Sequence, residues 1–424
     1  MANKLKKTGI YVYADWDADK LPEQMGILTA DRLGNDPIFA FEYERHWLNS
    51  STNRYIDPNL RFFSGRQFAP PDKSNFGVFL DSSPDRWGRL LMRRREAAFA
   101  RMENRKEKPL NEANYLLGVY DGHRMGGLRF KLDPGEDFLN NNKEMASPPW
   151  ASLRDIEFAS LQLEKENISE DPQYMKWLNL LVAPGSSLGG ARPKASIVDT
   201  NGALWIAKFP SNNDERNMGA WEKLVQQLSI KAGIQMAEAR AQRFNSRHHT
   251  FLNKRFDRTA GGHRIHFASA MTMLGYNDGA NYRDGVSYLE IAEFLERFGA
   301  NPGADLRQLW RRIVFFICIS NTDDHLRNHG FLMTPKGWIL SPAYDVNPEP
   351  LGKSLTLNIS ENDNSLSLDL AKSVAVFFRV NNKEANAIIN EVQTGVNTWK
   401  IEASRLQIPN EEQTFMAQAF SNYQ

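Results

Sequence analysis

Residues 321–328 read NTDDHLRN, and residues 341–345, a short distance on, read SPAYD. The first stretch sets Asn321, Asp323, Asp324, His325 and Asn328 within eight positions. Before it, Leu306–Ile319 carries apolar residues at 306, 309, 310, 313, 314 and 317 and then becomes apolar all round, the pattern of a buried helix that ends abruptly in a polar loop. After it, Phe331–Met333 and Trp338–Leu340 read as two short strands joined through Pro335-Lys336-Gly337, and Asp345 follows the second strand by five residues.

Phosphoryl transfer needs a carboxylate to accept or orient the attacking hydroxyl, and oxygen ligands for Mg²⁺. In kinase catalytic loops the base aspartate precedes the metal-binding asparagine by five positions. Asp323 and Asn328 have that spacing and Asp324 does not, so Asp323 is the expected base. Asn328 and Asp345 are the expected Mg²⁺ ligands, Asp345 reaching the ion from the far side of the hairpin. His325 is expected to orient its neighbours by a hydrogen bond rather than to move a proton. Loop, hairpin and aspartate occur in the order of a kinase C-lobe.

Further upstream, residues 185–194 read GSSLGGARPK. Glycines allow a tight backbone whose N–H groups turn inward on phosphate oxygens, although a plain glycine turn fits these residues equally well. Ala195–Val198 and Leu204–Phe209 read as strands, with Asn201-Gly202 predicting a two-residue hairpin turn. Period-two alternation puts Leu204, Ile206 and Lys208 on one face. An ammonium there calls for an anionic partner, a nucleotide phosphate in a kinase; an edge lysine reaching into water is the other reading. A helix expected over Met218–Ala232 carries Glu222 at the border of its apolar stripe, where it could pair with Lys208 or simply be solvated.

The first residues read as strands over Ile10–Ala14, Gly26–Thr29 and Ile38–Tyr43, with Phe39, Phe41 and Tyr43 alternating. A helix is expected after Ser83 as N-cap and Pro84, running to Met102, with Trp87, Leu91, Ala98 and Phe99 near one face and Arg86, Arg89, Arg93, Arg94 and Arg101 on the other. Asp133–Trp150 reads as a linker. Hydrophobic residues make up 41% and charged residues 24%, a globular balance. With 52 basic and 51 acidic side chains, net charge +1, no global pull toward nucleic acid or membrane is expected. The single cysteine, Cys318, excludes an intrachain disulfide and suits a cytoplasmic protein. The basic N-terminal stretch lacks a long apolar core, so a secretory signal is not expected, and no run approaches the roughly 18 apolar residues of a membrane span. His248, His249, His263 and His266 fit no closed zinc spacing.

At this point the sequence resembles the HipA family of serine/threonine toxin kinases over most of its length. The pattern Asn-x-Asp-x-His-x-x-Asn is met by Asn321, Asp323, His325 and Asn328, and the later Tyr-Asp by Tyr344-Asp345. Ser-x-x-Gly-Ala-x-x-Lys is met by Ser187, Gly190, Ala191 and Lys194, and Arg-Phe-Asp-Arg by Arg255, Phe256, Asp257 and Arg258. The stretches FGVFLDSSPDRWGR and GVYDGHRMGGLRF are similar to the family's small first subdomain. The loop departs from other members at Arg192-Pro193, and Lys254 stands where an acid precedes Arg255, changes that remove no catalytic group.

The resemblance implies an α+β, protein-kinase-like bilobal fold with an additional N-terminal α/β subdomain and a mainly helical C-terminal lobe. Its parts would be a subdomain over 1–150, a kinase N-lobe over 151–258 and a C-lobe over 259–424. It implies ATP and Mg²⁺ as cofactors, Gly189, Gly190 and Lys208 at the phosphates, Phe256 beside the adenine, and Glu222 holding Lys208. Ser187 would be autophosphorylated, with Ser186 as the competing hydroxyl. Relatives act on aminoacyl-tRNA synthetases, which makes such an enzyme a candidate protein substrate. They also pair with a helix-turn-helix antitoxin and, through it, operator DNA. Two rivals stand beside this reading. One is a regulatory, DNA-associated chain that uses the arginine-rich helix from Arg86 to Arg105. The other is a small-molecule kinase, against which the glycine-loop serine, the hinge match and the N-terminal subdomain all count.

Overall fold

Alternating apolar residues build the first sheet. Ile10 and Val12 of β1 (Thr8–Ala14), Leu28 of β2 (Glu23–Leu33) and Phe39 and Phe41 of β3 (Asp36–Tyr43) are at most 1% exposed. Register keeps these side chains together, with Ile10 opposite Leu28 and Leu28 opposite Phe41. The structure, a computed structural model, describes residues 8–33, 36–50, 54–181, 190 and 192–421. Ser186, Ser187 and Gly189 lie outside the described residues. Contacts divide the chain into two units, Met1–Asn212 with Asp257–Ala268, and Asn213–Phe256 with Ser269–Gln424.

In the first unit, β4 (Gln67–Phe68) and β5 (Leu128–Lys131) complete an antiparallel sheet of order β4-β3-β2-β1-β5. Helix α1 (Arg86–Met102) follows, and its N-cap is Asp85 rather than Ser83. The Asp85 carboxylate accepts from the Gly88 amide at 2.8 Å, while the Ser83 hydroxyl turns back to donate to the Phe79 carbonyl. Trp87, Leu91 and Ala98 are buried as expected, but Phe99 is 37% exposed and lies outside their stripe. Several arginines of this region are committed within the unit. Arg89 grips Glu112 through two bonds of 2.5 and 2.8 Å, Arg94 donates to the Leu163 carbonyl, and Arg105 pairs with Glu96.

Arg124 is one of the unit's fully buried ionisable residues. It is 0% exposed and donates to the carbonyls of Ser82, Leu116, Val119 and Leu139 at 2.8–3.0 Å. Burial pulls its guanidinium down to about 10, yet these acceptors let the charge persist inside. The second half of the Arg-Phe-Asp-Arg element joins this region. Asp257 accepts from the Gly126 amide at 2.8 Å and from Arg258 at 2.6 Å, and Arg258 also donates to the Arg124 carbonyl.

The same unit holds the hairpin β6 (Lys194–Val198) and β7 (Leu204–Lys208). Its turn is longer than the expected two residues. Val198 pairs with Leu204, and Asp199 closes the loop by accepting from the Asn201 and Ala203 amides, with Gly202 at φ 81°. Trp205 and Ala207 are fully buried on one face, which leaves Ile206 and Lys208 half-buried on the other.

In the second unit, α2 (Met218–Lys231) buries Trp221, Leu224, Val225 and Leu228. The strands β8 (Ala239–Gln242) and β9 (Thr250–Lys254) pair antiparallel. At the centre runs α3 (Pro302–Ile319), whose residues Ile313 to Ile319 are all buried, Cys318 among them. The hairpin β10 (Gly330–Thr334) and β11 (Gly337–Leu340) follows, and helices continue to the end of the described chain. Among the described residues no helix is long and apolar enough to cross a membrane.

His266, in the first unit, is 1% exposed, lies against the Trp16 ring and accepts from the Gly127 amide through Nδ1. Burial pushes its imidazole down to about 3 from 6.5. Between those values the unfolded chain binds a proton that the folded chain refuses. Stability is therefore full above pH 6.5 and falls below it by about 1.4 kcal/mol per pH unit. Urea unfolding at pH 7.5 and 5.5 is expected to show a loss of about 1 kcal/mol that is absent from His266→Gln.

Candidate active site

The loop after α3 opens at Ser320, whose backbone takes the left-handed conformation at φ 51° and turns the chain out of the helix. Its hydroxyl donates to the Ala419 carbonyl at 2.9 Å, and the Asn321 amide donates back to Phe316. Asn321 is 1% exposed, and its side-chain oxygen accepts from the Asn347 amide at 3.2 Å. That bond ties the loop to the segment carrying Asp345. Further ties run from the Glu349 amide to the Ser320 carbonyl and from the Thr356 hydroxyl to the Thr322 carbonyl. Gly352 passes so close to Thr322 that any side chain there would collide with it.

The two adjacent aspartates have opposite surroundings. Asp324 is 1% exposed and accepts at 2.7 Å from both the Tyr288 hydroxyl and His329 Nε2. Its charge also opposes the downward pull of burial on Arg312, a buried residue of α3 that donates to the Ser341 carbonyl. Asp323 instead has an exposed side chain. Its partly buried setting, and then the negative charges of Asp345, Asp324 and Glu349, hold its carboxyl above the usual range, against the pull of His325. A group free to reach solvent can meet an acceptor hydroxyl, whereas one already holding a buried tyrosine and histidine cannot.

Asn328 turns back on the loop and donates through Nδ2 to the Asp323 carbonyl at 3.1 Å. Its Oδ1 is buried and without a hydrogen-bond partner among the described residues. Asp345 has φ 54°, a left-handed conformation that its neighbours must sustain, and its Oδ1 accepts from Asn347 at 3.4 Å. Tyr344, just before it, donates to the Arg327 carbonyl at 2.7 Å. Phe256 places its ring 5.6 Å from that of Tyr344. His325 is half-buried, and its Nδ1 has no partner among the described residues.

Asp323, Asn328 and Asp345 thus lie within one unit, with the charges of Asp323 and Asp345 felt by each other and a buried amide oxygen left open. Oxygen donors of this kind fit a hard divalent cation. Among the described residues no group of three His, Cys, Asp or Glu side chains could hold a metal by themselves. Lys208 and Gly190 belong to the first unit and Glu222, 8% exposed on α2, to the second. The anchors Tyr288, His329, Asn347 and Asp324 carried no sequence signal for their roles, apart from the place of Asp324 inside the loop.

A family described as the HipA-like C-terminal domain matches residues 186–399, just over half of the chain. A Haemophilus influenzae protein named "Putative kinase" is 27% identical over 190 residues, 39% of this chain and 54% of that protein. The chain therefore spans about half the length of that curated relative. Among solved structures, HipA from the Shewanella oneidensis toxin–antitoxin complex of HipA, HipB and operator DNA superimposes with a TM-score of 0.63 at 18% identity. The likeness covers 97% of this chain and 95% of that one. It is a likeness of fold, and the α+β, kinase-like class expected from the sequence is the one observed.

The contrast between the two aspartates is open to measurement. Asp324→Asn is expected to lower stability in chemical denaturation by about 2–4 kcal/mol, because it disrupts a buried charged network. Asp323→Asn removes an exposed carboxylate among like charges and should change stability by less than about 1 kcal/mol.

Proposed function

Given that the chain belongs to the family of the HipA-like C-terminal domain, we propose that it is an ATP- and Mg²⁺-dependent kinase that transfers the terminal phosphate to a serine or threonine hydroxyl of a protein. The observation that supports this most is the difference between the neighbouring carboxylates, one exposed and one locked, at the five-residue spacing from an asparagine with an open buried oxygen.

In this reading Asp323 accepts or orients the proton of the attacking hydroxyl. Its raised proton affinity suits that task better than an ordinary surface carboxylate would. Asn328 Oδ1 and Asp345 hold the metal ion, and His325 orients the loop. An ion bound there would neutralise negative charge on the terminal phosphates. Lys208 contacts nucleotide phosphate, Glu222 steadies Lys208, and Gly189 and Gly190 bring backbone amides to the phosphates. Phe256, packed on Tyr344, offers an aromatic wall to the adenine. Ser187 is the proposed autophosphorylation site, ahead of Ser186.

Partners follow the same reading. The Shewanella protein was solved with HipB and operator DNA. We propose that this chain likewise acts as a toxin, pairing with a small helix-turn-helix antitoxin and reaching operator DNA through it. An aminoacyl-tRNA synthetase is the proposed class of protein substrate. The internal commitments of Arg89 and Arg94 in α1, and of Arg105 just after it, count against a DNA-reading role for this arginine-rich stretch.

With ATP and Mg²⁺ the wild-type chain should label itself at Ser187. Asp323→Ala should lower transfer by about 10²–10⁴-fold, the range of a lost general base. In the same preparations Mg²⁺ with ATP should raise the melting temperature of wild type but not of an Asn328→Ala, Asp345→Ala double variant. Undiminished phosphoryl transfer by Asp323→Ala would refute the base assignment.

A further inference from the structure

Lys194, the lysine that ends the glycine-rich segment, is not free to follow a phosphate. Its Nζ lies 2.8 Å from Asp85 Oδ2, and the two side chains are 11% and 4% exposed. The same ammonium donates to the Gly190 carbonyl at 3.1 Å, where the glycine backbone stands at φ 92°. Trp87, the second residue of α1, donates through its indole N–H to the Lys194 carbonyl at 3.0 Å. Asp85 therefore uses one oxygen to cap α1 at Gly88 and the other to hold Lys194, which in turn holds Gly190.

On the β6–β7 hairpin Lys194 stands directly opposite Lys208. Cross-strand partners point to the same face of a sheet, and like charges so placed destabilise it. Asp85 removes that conflict by neutralising one of the two. Its own carboxylate, almost wholly buried, would be left uncompensated if Lys194 swung away to a ligand, which is a costly state.

We propose that Asp85 and Lys194 are positioning residues for nucleotide binding: an ion pair that fastens Gly190 and the start of the β6–β7 hairpin to the N-cap of α1. The inference rests on the kinase reading above and adds a function for α1, through its cap, that does not involve DNA.

The test measures binding of a fluorescent ATP analogue, and KM for ATP against kcat in autophosphorylation, for wild type, Asp85→Asn, Lys194→Met and Lys208→Met. Asparagine can still cap α1 and leaves no buried carboxylate behind, so Asp85→Asn decides if Lys194→Met, which strands the Asp85 charge, fails to fold. The expected result is nucleotide binding weakened about tenfold in Asp85→Asn and in Lys194→Met, the scale of one lost charge-assisted bond. KM should rise alike while kcat stays within about threefold, whereas Lys208→Met should lose kcat. Tighter binding by Asp85→Asn would make Lys194 a masked phosphate ligand and overturn the proposal, as would unchanged binding in either variant. A wild-type chain that binds no nucleotide would instead remove the kinase reading itself.

Discussion

Two hydrogen bonds of 2.7 Å, from the Tyr288 hydroxyl and from His329, converge on one oxygen of Asp324. A carboxylate taken out of water needs such partners, and its charge in turn holds whatever donates to it. Tyr288 lies upstream of α3 and His329 just past the loop, so the bonds clamp the loop at its middle to residues on either side of it. Asp323 is the next residue back. Its exposed edge is defined because its neighbour cannot move without leaving a charge buried and unpaired. The ties from Asn321 to Asn347 and from Ser320 to Glu349 extend the constraint to the segment bearing Asp345.

The first unit applies the same physics at other points. Arg124 gathers four backbone carbonyls inside the fold, and Asp257 gathers an amide and a guanidinium. Buried charges in both units thus organise irregular backbone, where no ladder of strand or helix bonds can satisfy it. Loops built this way are more rigid than their lack of secondary structure suggests. Catalytic groups need that rigidity, since small misplacements at a reacting centre cost large factors in rate.

How much of this could be read from the chain depends on distance along it. The loop from Asn321 to Asn328 is one local motif, so its spacing alone set the expectation for Asp323 and Asn328. The strands with alternating Phe39, Phe41 and Tyr43 were legible because period two survives in the sequence. Asp324 was visible as a residue but not as an anchor, because Tyr288 lies 36 positions upstream. The Asp85–Lys194 pair spans 109 positions and had no local trace. Between two good capping residues, Ser83 and Asp85, the choice fell to the carboxylate that also binds a lysine elsewhere in the unit. Asn201-Gly202 predicted a tight turn, and the Asp199 side chain, by accepting two loop amides, made a wider one equally well satisfied.

A polar loop in which every group is satisfied has nothing left to offer a ligand, and this loop is not of that kind. Asp324 is held by two buried donors, and the backbone of Asn321 and Thr322 is held by bonds within the unit. Asn328 keeps its amide hydrogens occupied while its oxygen, buried, points to no donor among the described residues. Nearby, burial and then the charges of Asp345, Asp324 and Glu349 raise the proton affinity of Asp323 against the pull of His325. Folding alone would favour neutralising such a cluster, since unpaired buried oxygens and facing carboxylates both cost stability. On the proposed kinase reading, the open Asn328 oxygen and the exposed Asp323 beside a firmly anchored neighbour would serve a cation-binding, proton-accepting site: fixed surroundings, with the open valence at few atoms.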